Sequence, residues 1–547
     1  MTWLIRRLGI SPWITTQLLV TSFFINLLGL ASSVFVIQVY GRYLVHGIDA
    51  TLLTLSTGML LVIVIEFALR RIRYRMAMAI SAQPERESSS RLFQTLLHAK
   101  ADDVMNLKPG FRQMIMRRNE QVLTTTGPSL FVSLIDTPFI VLYLIAMFMI
   151  SVSVGWWALL IILITLVTAV LLGFRLKENT QAHMRAQIEQ SEVTNSAGRF
   201  EAVRNSGAAS FLQNQWDSHS SKLRWWKYKM GREQELLQNL VQSMTILITV
   251  VVISLGAREV AAGNLDFGML IGLNILAARA LAILARPAQS ISSLLQAEQS
   301  RQLVDNFLNT PVEPPQGAQL NHYSGNLTLK DVTFGYQGGD GPVIQQCTVN
   351  IPAGSFVRVI GGNGSGKTTL CRLITNLLSP RRGAVLADGV DVRQFHPQWW
   401  RRQIIYVPQE PEFMDTTLRQ NLTMLNPGID EKGLSEVIGL AGLRQFIDQS
   451  REGLDMQVSD GGRHFSLGIR RRIALAQAMV ANGPLVLIDD PAEGLDAEGT
   501  QMIGRLLNEY SKQGRTIIVT THDANSIKGS GITIDLNNGA IPVVTEG

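Results

Sequence analysis

The sequence predicts a multidomain membrane protein, with a six-helix all-α transmembrane domain followed by an α/β domain built on a P-loop. Three observations carry that prediction. Six apolar stretches fall within the first 300 residues, each long enough for the ~20 residues that cross a bilayer. The last 225 residues read as a soluble α/β domain. Within that soluble part, GGNGSGKTTL at 361–370 fits G-x-x-x-x-G-K-[ST], with an apolar strand pattern before it and a helical pattern after it.

The spans lie near 15–39, 51–70, 128–150, 155–174, 237–258 and 264–285, inside a transmembrane domain of residues 1–310. The first follows Arg6 and Arg7 and is too long for a signal-peptide core, so it is expected to remain as a span. The links alternate in character. Those after the first, third and fifth spans are short and weakly charged. Those after the second and fourth are long, rich in Arg and Lys, and poor in Gly and Pro. The positive-inside rule places both long links and both termini in the cytoplasm, and their composition predicts helices that continue out of the membrane. The net charge of +6 is assigned to this flanking Arg and Lys, not to nucleic-acid binding. Cys347 and Cys371 form no metal spacing, which points to packing residues in a reducing compartment.

Some polar residues sit within the spans. Glu66 precedes Arg70 by one helical turn, which predicts an i,i+4 pair near the interface. Asp136 stands two residues before Pro138, as an intramembrane functional group or as the cap of a kink. Asn274 and Arg279 line a polar path or face a neighbouring helix. Pro311, Pro314, Pro315 and Gly317 mark a linker, 311–322, and the soluble domain is expected over 323–547.

That domain carries its chemistry in a fixed order. Tyr336 in VTFGYQ is an aromatic that can stack on adenine. In the P-loop, Gly361, Gly362, Asn363, Gly364, Ser365 and Gly366 turn backbone N–H groups toward phosphate oxygens at a helix N-terminus. Lys367 supplies a point charge, Thr368 a hydroxyl for Mg²⁺, and Thr369 opens the helix. Gln409 follows a strand in IIYVPQ. LVLIDD ends a buried strand at Asp489, which can hold Mg²⁺ through water, and Asp490 follows it to polarise the attacking water. TIIVTTHD ends near His522, placed to contact the γ-phosphate.

With these motifs in this order, the chain resembles ABC transporters, in the exporter half-transporter layout, over nearly its whole length. The resemblance implies an A-loop at Tyr336, a Walker A motif at 361–368, a Q-loop at Gln409, a signature loop with Ser466 and Gly468, a Walker B motif ending at Asp489, a D-loop through Asp496 and an H-switch at His522. It implies ATP and Mg²⁺ as cofactors. It also implies a dimer that sandwiches ATP and drives the spans between inward and outward states. The stretches FFINLLGLASSVFVIQVYGRYL, IDTPFIVLYL and ARALAILARPAQ look like type I secretion exporters, which move unfolded polypeptides out of Gram-negative cells. That implies the inner membrane, a cytoplasmic nucleotide-binding domain, a polypeptide substrate, a periplasmic adaptor and an outer-membrane channel. Some such relatives carry an N-terminal peptidase domain. With the first span near residue 15, neither that domain nor leader cleavage is expected here.

Two departures from the family pattern bear on activity. The usual LSGGQ signature reads Phe465-Ser466-Leu467-Gly468-Ile469, so a side chain replaces a glycine at Leu467, where it obstructs close approach or disfavours a positive φ. Asp490 stands where the family has Glu, which withdraws the carboxylate by about 1.5 Å. A misplacement of roughly 1 Å costs about a hundredfold in rate. A homodimer would place both changes in both sites; a heterodimer would divide them. The homodimer is favoured, as in the exporters the chain resembles. The alternatives are a weakly hydrolysing or regulatory subunit and an exporter of lipid or small molecules. Six spans argue against a soluble ATPase acting on nucleic acid.

Overall fold

The computed structural model describes residues 11–546 apart from 45–46, 106, 108–109, 337, 340, 492–496, 523–530 and 538. The chain divides into two compact units. One comprises residues 1–97 with 107–310, the other 98–106 with 311–547.

The first unit is all helix. Its described elements are α1 (Pro12–Gln38, continued by a π-helical turn over Val39–Tyr43), α2 (Asp49–His98), α4 (Phe111–Thr125), α5 (Pro128–Asp136), α6 (Ile140–Ile150), α7 (Val152–Ala197), α8 (Phe200–Asn205), α9 (Ala209–Ala261), α10 (Phe267–Gln289) and α11 (Ile291–Leu308). The short helix α3 (Ala101–Met105) belongs to the second unit. Among the described residues, six helical stretches are long and apolar enough to cross a membrane: Pro12–Tyr43, Asp49–His98, Pro128–Ile150, Val152–Ala197, Ala209–Ala261 and Phe267–Leu308. Helix α9 runs 53 residues, which at 1.5 Å per residue is about 80 Å, far beyond a ~30 Å hydrocarbon core.

Helix α1 turns the soluble-protein pattern inside out. Ser22, Asn26, Gly29 and Ser33 recur at helical spacing and are buried, while Phe23, Phe24, Leu27 and Val34 are exposed. Small and polar residues therefore face the bundle, as expected where the solvent is lipid. At Gly268 of α10 a β-carbon would stand 2.7 Å from the Ile37 carbonyl oxygen, so only glycine permits the α1–α10 approach.

Asp136 ends α5, and a 3₁₀ turn over Thr137–Phe139 separates it from α6 at Pro138. The sequence counts Arg73 as a flanking charge of the second link. Instead it lies buried within α2 and its Nη1 donates to Asp136 Oδ1 at 2.7 Å. Arg73 also donates to Ser22 Oγ at 3.3 Å, and Asn26 Nδ2 donates to Asp136 Oδ1 at 3.3 Å. The Tyr143 hydroxyl donates to the Asn26 carbonyl at 3.1 Å. The pair of Glu66 and Arg70 forms as the spacing predicts. Asn274 leaves its buried Oδ1 without a partner, and Arg279 closes on Gly29 of α1.

The second unit draws on residues from both sides of the boundary read from sequence. Residues 98–106, expected with the membrane half, join this unit. Lys100 N–H donates to the Pro311 carbonyl at 2.9 Å, Glu313 N–H donates to the His98 carbonyl at 2.7 Å, and Ala99 pairs antiparallel with Val312. The expected linker is structured as well. Ala318 N–H donates to the Gln394 carbonyl at 2.8 Å, and Glu313 forms a bidentate pair with Arg401.

Two sheets build the unit. An antiparallel sheet has the order β2 (Ile344–Ile351), β1 (Leu327–Phe334), β4 (Arg382–Ala387), β5 (Val390–Asp391). The second has the order β10 (Val543–Glu546), β9 (Ile532–Asp535), β3 (Phe356–Ile360), β8 (Thr516–Thr521), β7 (Leu485–Asp489), β6 (Ile404–Val407), parallel except at β10. Strands β7 and β8 are buried at every position, which explains their unbroken apolar runs. Helix α12 (Lys367–Ile374) follows β3, α13 (Pro397–Arg402) precedes β6, α14 (Leu418–Thr423), α15 (Glu431–Leu440) and α16 (Arg444–Asp448) follow it, α17 (Leu467–Val480) precedes β7 and α18 (Ala497–Lys512) follows it.

Candidate functional site

The chemistry-bearing residues gather at the carboxyl ends of β3, β6, β7 and β8, where an open parallel sheet presents its loops. The P-loop leaves β3 at Ile360. Gly364 and Gly366 take φ of +81° and +103°, and a β-carbon at Gly366 would stand 2.9 Å from Val343 Cγ1. Both positions call for glycine by their conformation, and Gly366 by space as well. The loop is held where it leaves β3, since Gly361 N–H donates to the Thr521 carbonyl at 3.2 Å and Gly362 N–H to Asn537 Oδ1 at 2.9 Å. Lys367 opens α12, is buried, and donates from Nζ to the carbonyls of Gly361 at 2.6 Å and Gly362 at 3.0 Å. Asn363 sits at the exposed tip of the loop, and the Ser365 hydroxyl is buried with no partner.

Tyr336 meets the loop from the other sheet. Its hydroxyl lies 3.0 Å from Thr369 Oγ1, and its ring stands edge-on to Phe334. Thr368 Oγ1 donates to Gln409 Oε1 at 3.5 Å, joining α12 to the segment after β6.

Asp489 and Asp490 are 2% and 3% exposed. Asp489 Oδ1 accepts from Thr520 Oγ1 at 2.6 Å, while its Oδ2 is buried with no partner. The negative charge of Asp489 reaches its neighbours. Burial first, and then Asp489, pushes the Cys371 thiol well above its ordinary range. Burial, then Cys371 and Asp489, does the same to the Tyr406 phenol.

Asp490 has φ of +51°, a left-handed conformation that Asp tolerates better than most residues. Each of its polar groups is engaged. Its N–H donates to Thr520 Oγ1 at 2.9 Å. Its carbonyl accepts from Arg471 Nη1 at 3.5 Å. Its carboxylate lies 3.1 and 3.3 Å from His522 Nδ1. Arg471, on α17, also donates to the Gln409 carbonyl at 3.2 Å.

Ser466 is the N-cap of α17, and its Oγ accepts from Ile469 N–H at 3.3 Å. Leu467 and Gly468 are the first two helical residues. The expected clash of Leu467 with a positive φ does not arise, because this turn is helical. Asp496 lies outside the described residues. Sequence reasoning missed Thr520, Arg471 and Asn537; the first two carry a detectable signal, a hydroxyl inside a buried strand and a cation on the buried face of a helix.

A neutral or anionic oxygen set suits a hard divalent cation. The Thr368 hydroxyl, the Gln409 amide oxygen and the unpartnered Asp489 Oδ2 are such a set, and Mg²⁺ fits it. Among the described residues no group of three or more His, Cys, Asp or Glu is gathered that could hold a metal ion by itself.

A P-loop ATP-binding unit joined in one chain to six membrane-crossing helices defines an ATP-driven membrane transporter. The chain belongs to the ABC transporter family: the ABC transporter family model matches residues 344–493, and the model of the ABC transporter transmembrane region matches residues 16–282. Similar proteins include the toxin RTX-I translocation ATP-binding protein of Actinobacillus pleuropneumoniae, 27% identical across 99% of this chain and 76% of the relative. The leukotoxin translocation ATP-binding protein of Mannheimia haemolytica and the alpha-hemolysin translocation ATP-binding protein of Escherichia coli O6:H1 are each 26% identical over the same shares. Among solved structures, a bacterial Atm1-family ABC exporter with ATP bound superposes with a TM-score of 0.83 at 18% identity, covering 98% of this chain and 96% of that one. The protein is thus a membrane-embedded ATPase whose nucleotide-binding domain is coupled to transport.

Proposed function

We propose that this protein is the inner-membrane component of a type I secretion system, exporting a polypeptide from the cytoplasm with energy from MgATP. The observation that carries the reading is the extent of similarity: proteins named for toxin translocation align with 99% of the chain, membrane half included. By the same reading it works with a second half-transporter as a homodimer, with a periplasmic adaptor and with an outer-membrane channel, and its ATP-binding unit faces the cytoplasm.

In the ATP site, Tyr336 stacks on adenine. The P-loop amides and Lys367 hold the phosphates. Thr368, Gln409 and Asp489 would hold Mg²⁺, which would supply positive charge to offset that of the phosphates. Asp490 accepts a hydrogen bond from the attacking water, oriented by its contact with His522. Ser466 and Gly468 of the second copy complete the site.

A secretion comparison in the native host tests this. Cells carrying the wild-type chain or Lys367→Ala are compared for extracellular polypeptides and for membrane lipids. Loss of one or a few secreted polypeptides in the variant is the expected result. Unchanged secretion with altered lipid distribution would instead establish a lipid exporter. A second reading, a weakly hydrolysing subunit, is favoured by one observation: the Ser466 hydroxyl is engaged by its own helix cap. In lipid nanodiscs, ATP binding without turnover in the purified chain would support that reading.

A further inference from the structure

Strand β8 places a threonine where its hydroxyl reaches both acidic residues. Thr520 is fully buried, and the parallel register sets it opposite Asp489. Its Oγ1 donates to Asp489 Oδ1 at 2.6 Å and accepts from Asp490 N–H at 2.9 Å. A hydroxyl has one proton to give, so these two contacts fix its orientation: the proton lies toward Asp489 and a lone pair lies toward Asp490.

Threonine is common in strands because it is β-branched, and valine fills the same space. The hydroxyl is the difference, and burying one without partners is unfavourable. Here both partners belong to the acidic pair. The consequences run in two directions. Engaging Oδ1 turns the Asp489 carboxylate so that Oδ2 stays buried and unpartnered. Engaging the Asp490 N–H holds a peptide whose φ is +51°, and so sets the line from that backbone to the carboxylate beside His522.

We propose that Thr520 is a positioning residue for ATP hydrolysis, one hydroxyl that aims Asp489 at the cation and Asp490 at the attacking water. The proposal rests on the reading of Asp489 and Asp490 given above. It extends the apparatus to a side chain that touches neither nucleotide nor water.

The test uses the full chain in lipid nanodiscs, with Thr520→Val, Thr520→Ser and Thr520→Cys, each alone and with Thr520→Val also combined with Asp490→Asn. Single-turnover hydrolysis of MgATP is measured beside binding of a fluorescent ATP analogue, in Mg²⁺ and in EDTA. Thr520→Val should lower the hydrolysis rate by about 10- to 100-fold, the scale of a misplaced reacting group, with KM little changed. Thr520→Ser should restore the rate. Affinity in EDTA should match wild type for every Thr520 variant, while the gain on adding Mg²⁺ shrinks in Thr520→Val. On the Asp490→Asn background, Thr520→Val should cost far less than it does alone.

Equal rates for the valine and serine variants would overturn the proposal, as would a loss confined to KM or to affinity in EDTA. Should Thr520→Val fold poorly, Thr520→Cys decides: a weak donor of similar size should give an intermediate rate, and a wild-type rate would sink the idea. Asp490→Asn separates the two levels of argument. If it hydrolyses normally, the reading of Asp490 fails, and with it the Asp490 half of the proposal. If it is inactive while Thr520→Val is normal, that reading stands and Thr520 has no such role.

Discussion

Replacing Asp136 by Asn isolates the worth of a buried charge pair inside the membrane half. Arg73 and Asp136 have side chains 7% and 11% exposed and meet at 2.7 Å. In the variant, the Arg73 cation loses its counter-charge and keeps only neutral acceptors there, the amide oxygen at position 136 and the Ser22 hydroxyl at 3.3 Å. Breaking such a pair from one side costs about 3–5 kcal/mol, because a charge is stranded, and far more than an exposed pair would. Neutralising both partners, Arg73→Gln with Asp136→Asn, strands no charge and leaves two amides in hydrogen-bonding reach. Most of the loss should return, to within about 1–2 kcal/mol of wild type; with Arg73→Gln alone also costing about 3–5 kcal/mol, the coupling energy is at least about 4 kcal/mol. The assay is a double-mutant cycle on equilibrium unfolding in mixed micelles, with ATP binding as a check that the soluble unit is intact. Additive losses, or a cost below about 1 kcal/mol for Asp136→Asn alone, would refute the claim that this pair ties α1, α2 and α5 together.

Other expectations concern the soluble unit. Gly366→Ala should abolish ATP binding, since φ of +103° and the 2.9 Å approach to Val343 both exclude a β-carbon; binding of a fluorescent ATP analogue reads it. Lys367→Ala should remove hydrolysis by at least about a hundredfold while leaving the unit folded by circular dichroism. Asp490→Glu gains reach but must crowd the His522 contact and hold a longer side chain at φ of +51°. Hydrolysis should rise by less than about tenfold, and a larger rise would mean that the short side chain alone limits the rate. Burial lifts the Cys347 thiol from its ordinary 9.0 to about 11. The neutral thiol is the favoured form in the fold, so its contribution to stability is complete below pH 9.0 and is lost as pH rises toward about 11. Cys347→Ala should flatten the alkaline fall in unfolding midpoint over that interval.

The fold was legible where the solvent dictated composition. Lipid demands long apolar helices, and the soluble sheet demands short apolar runs such as LVLID, so both left strong patterns. What stayed hidden depends on partners distant in sequence. Arg73 follows a span directly and has the look of a flanking charge; only the return of α5 brings Asp136 to it, 63 residues later. The 311–322 segment carries the prolines of a linker, yet its backbone groups pair with 98–100 and with 394–396. Proline and glycine content reports the absence of regular structure, not the absence of contacts.

The candidate site divides along the same line. The P-loop is local, its glycines and Lys367 falling within one turn of chain, and its residue types follow from the phosphate chemistry. The acidic pair is not local. Sequence comparison with the family isolates the shortened Asp490, and a length argument then predicts a withdrawn carboxylate. In the structure the backbone of Asp490 lies in the left-handed region and is anchored by Thr520 and Arg471, while its carboxylate meets His522. Side-chain length alone therefore does not set where the carboxylate lies. The same reasoning applies to the signature loop. Leu467 costs nothing in backbone strain, since it begins a helix, so any defect there acts through the bulk it presents to a second chain and not through the fold of its own.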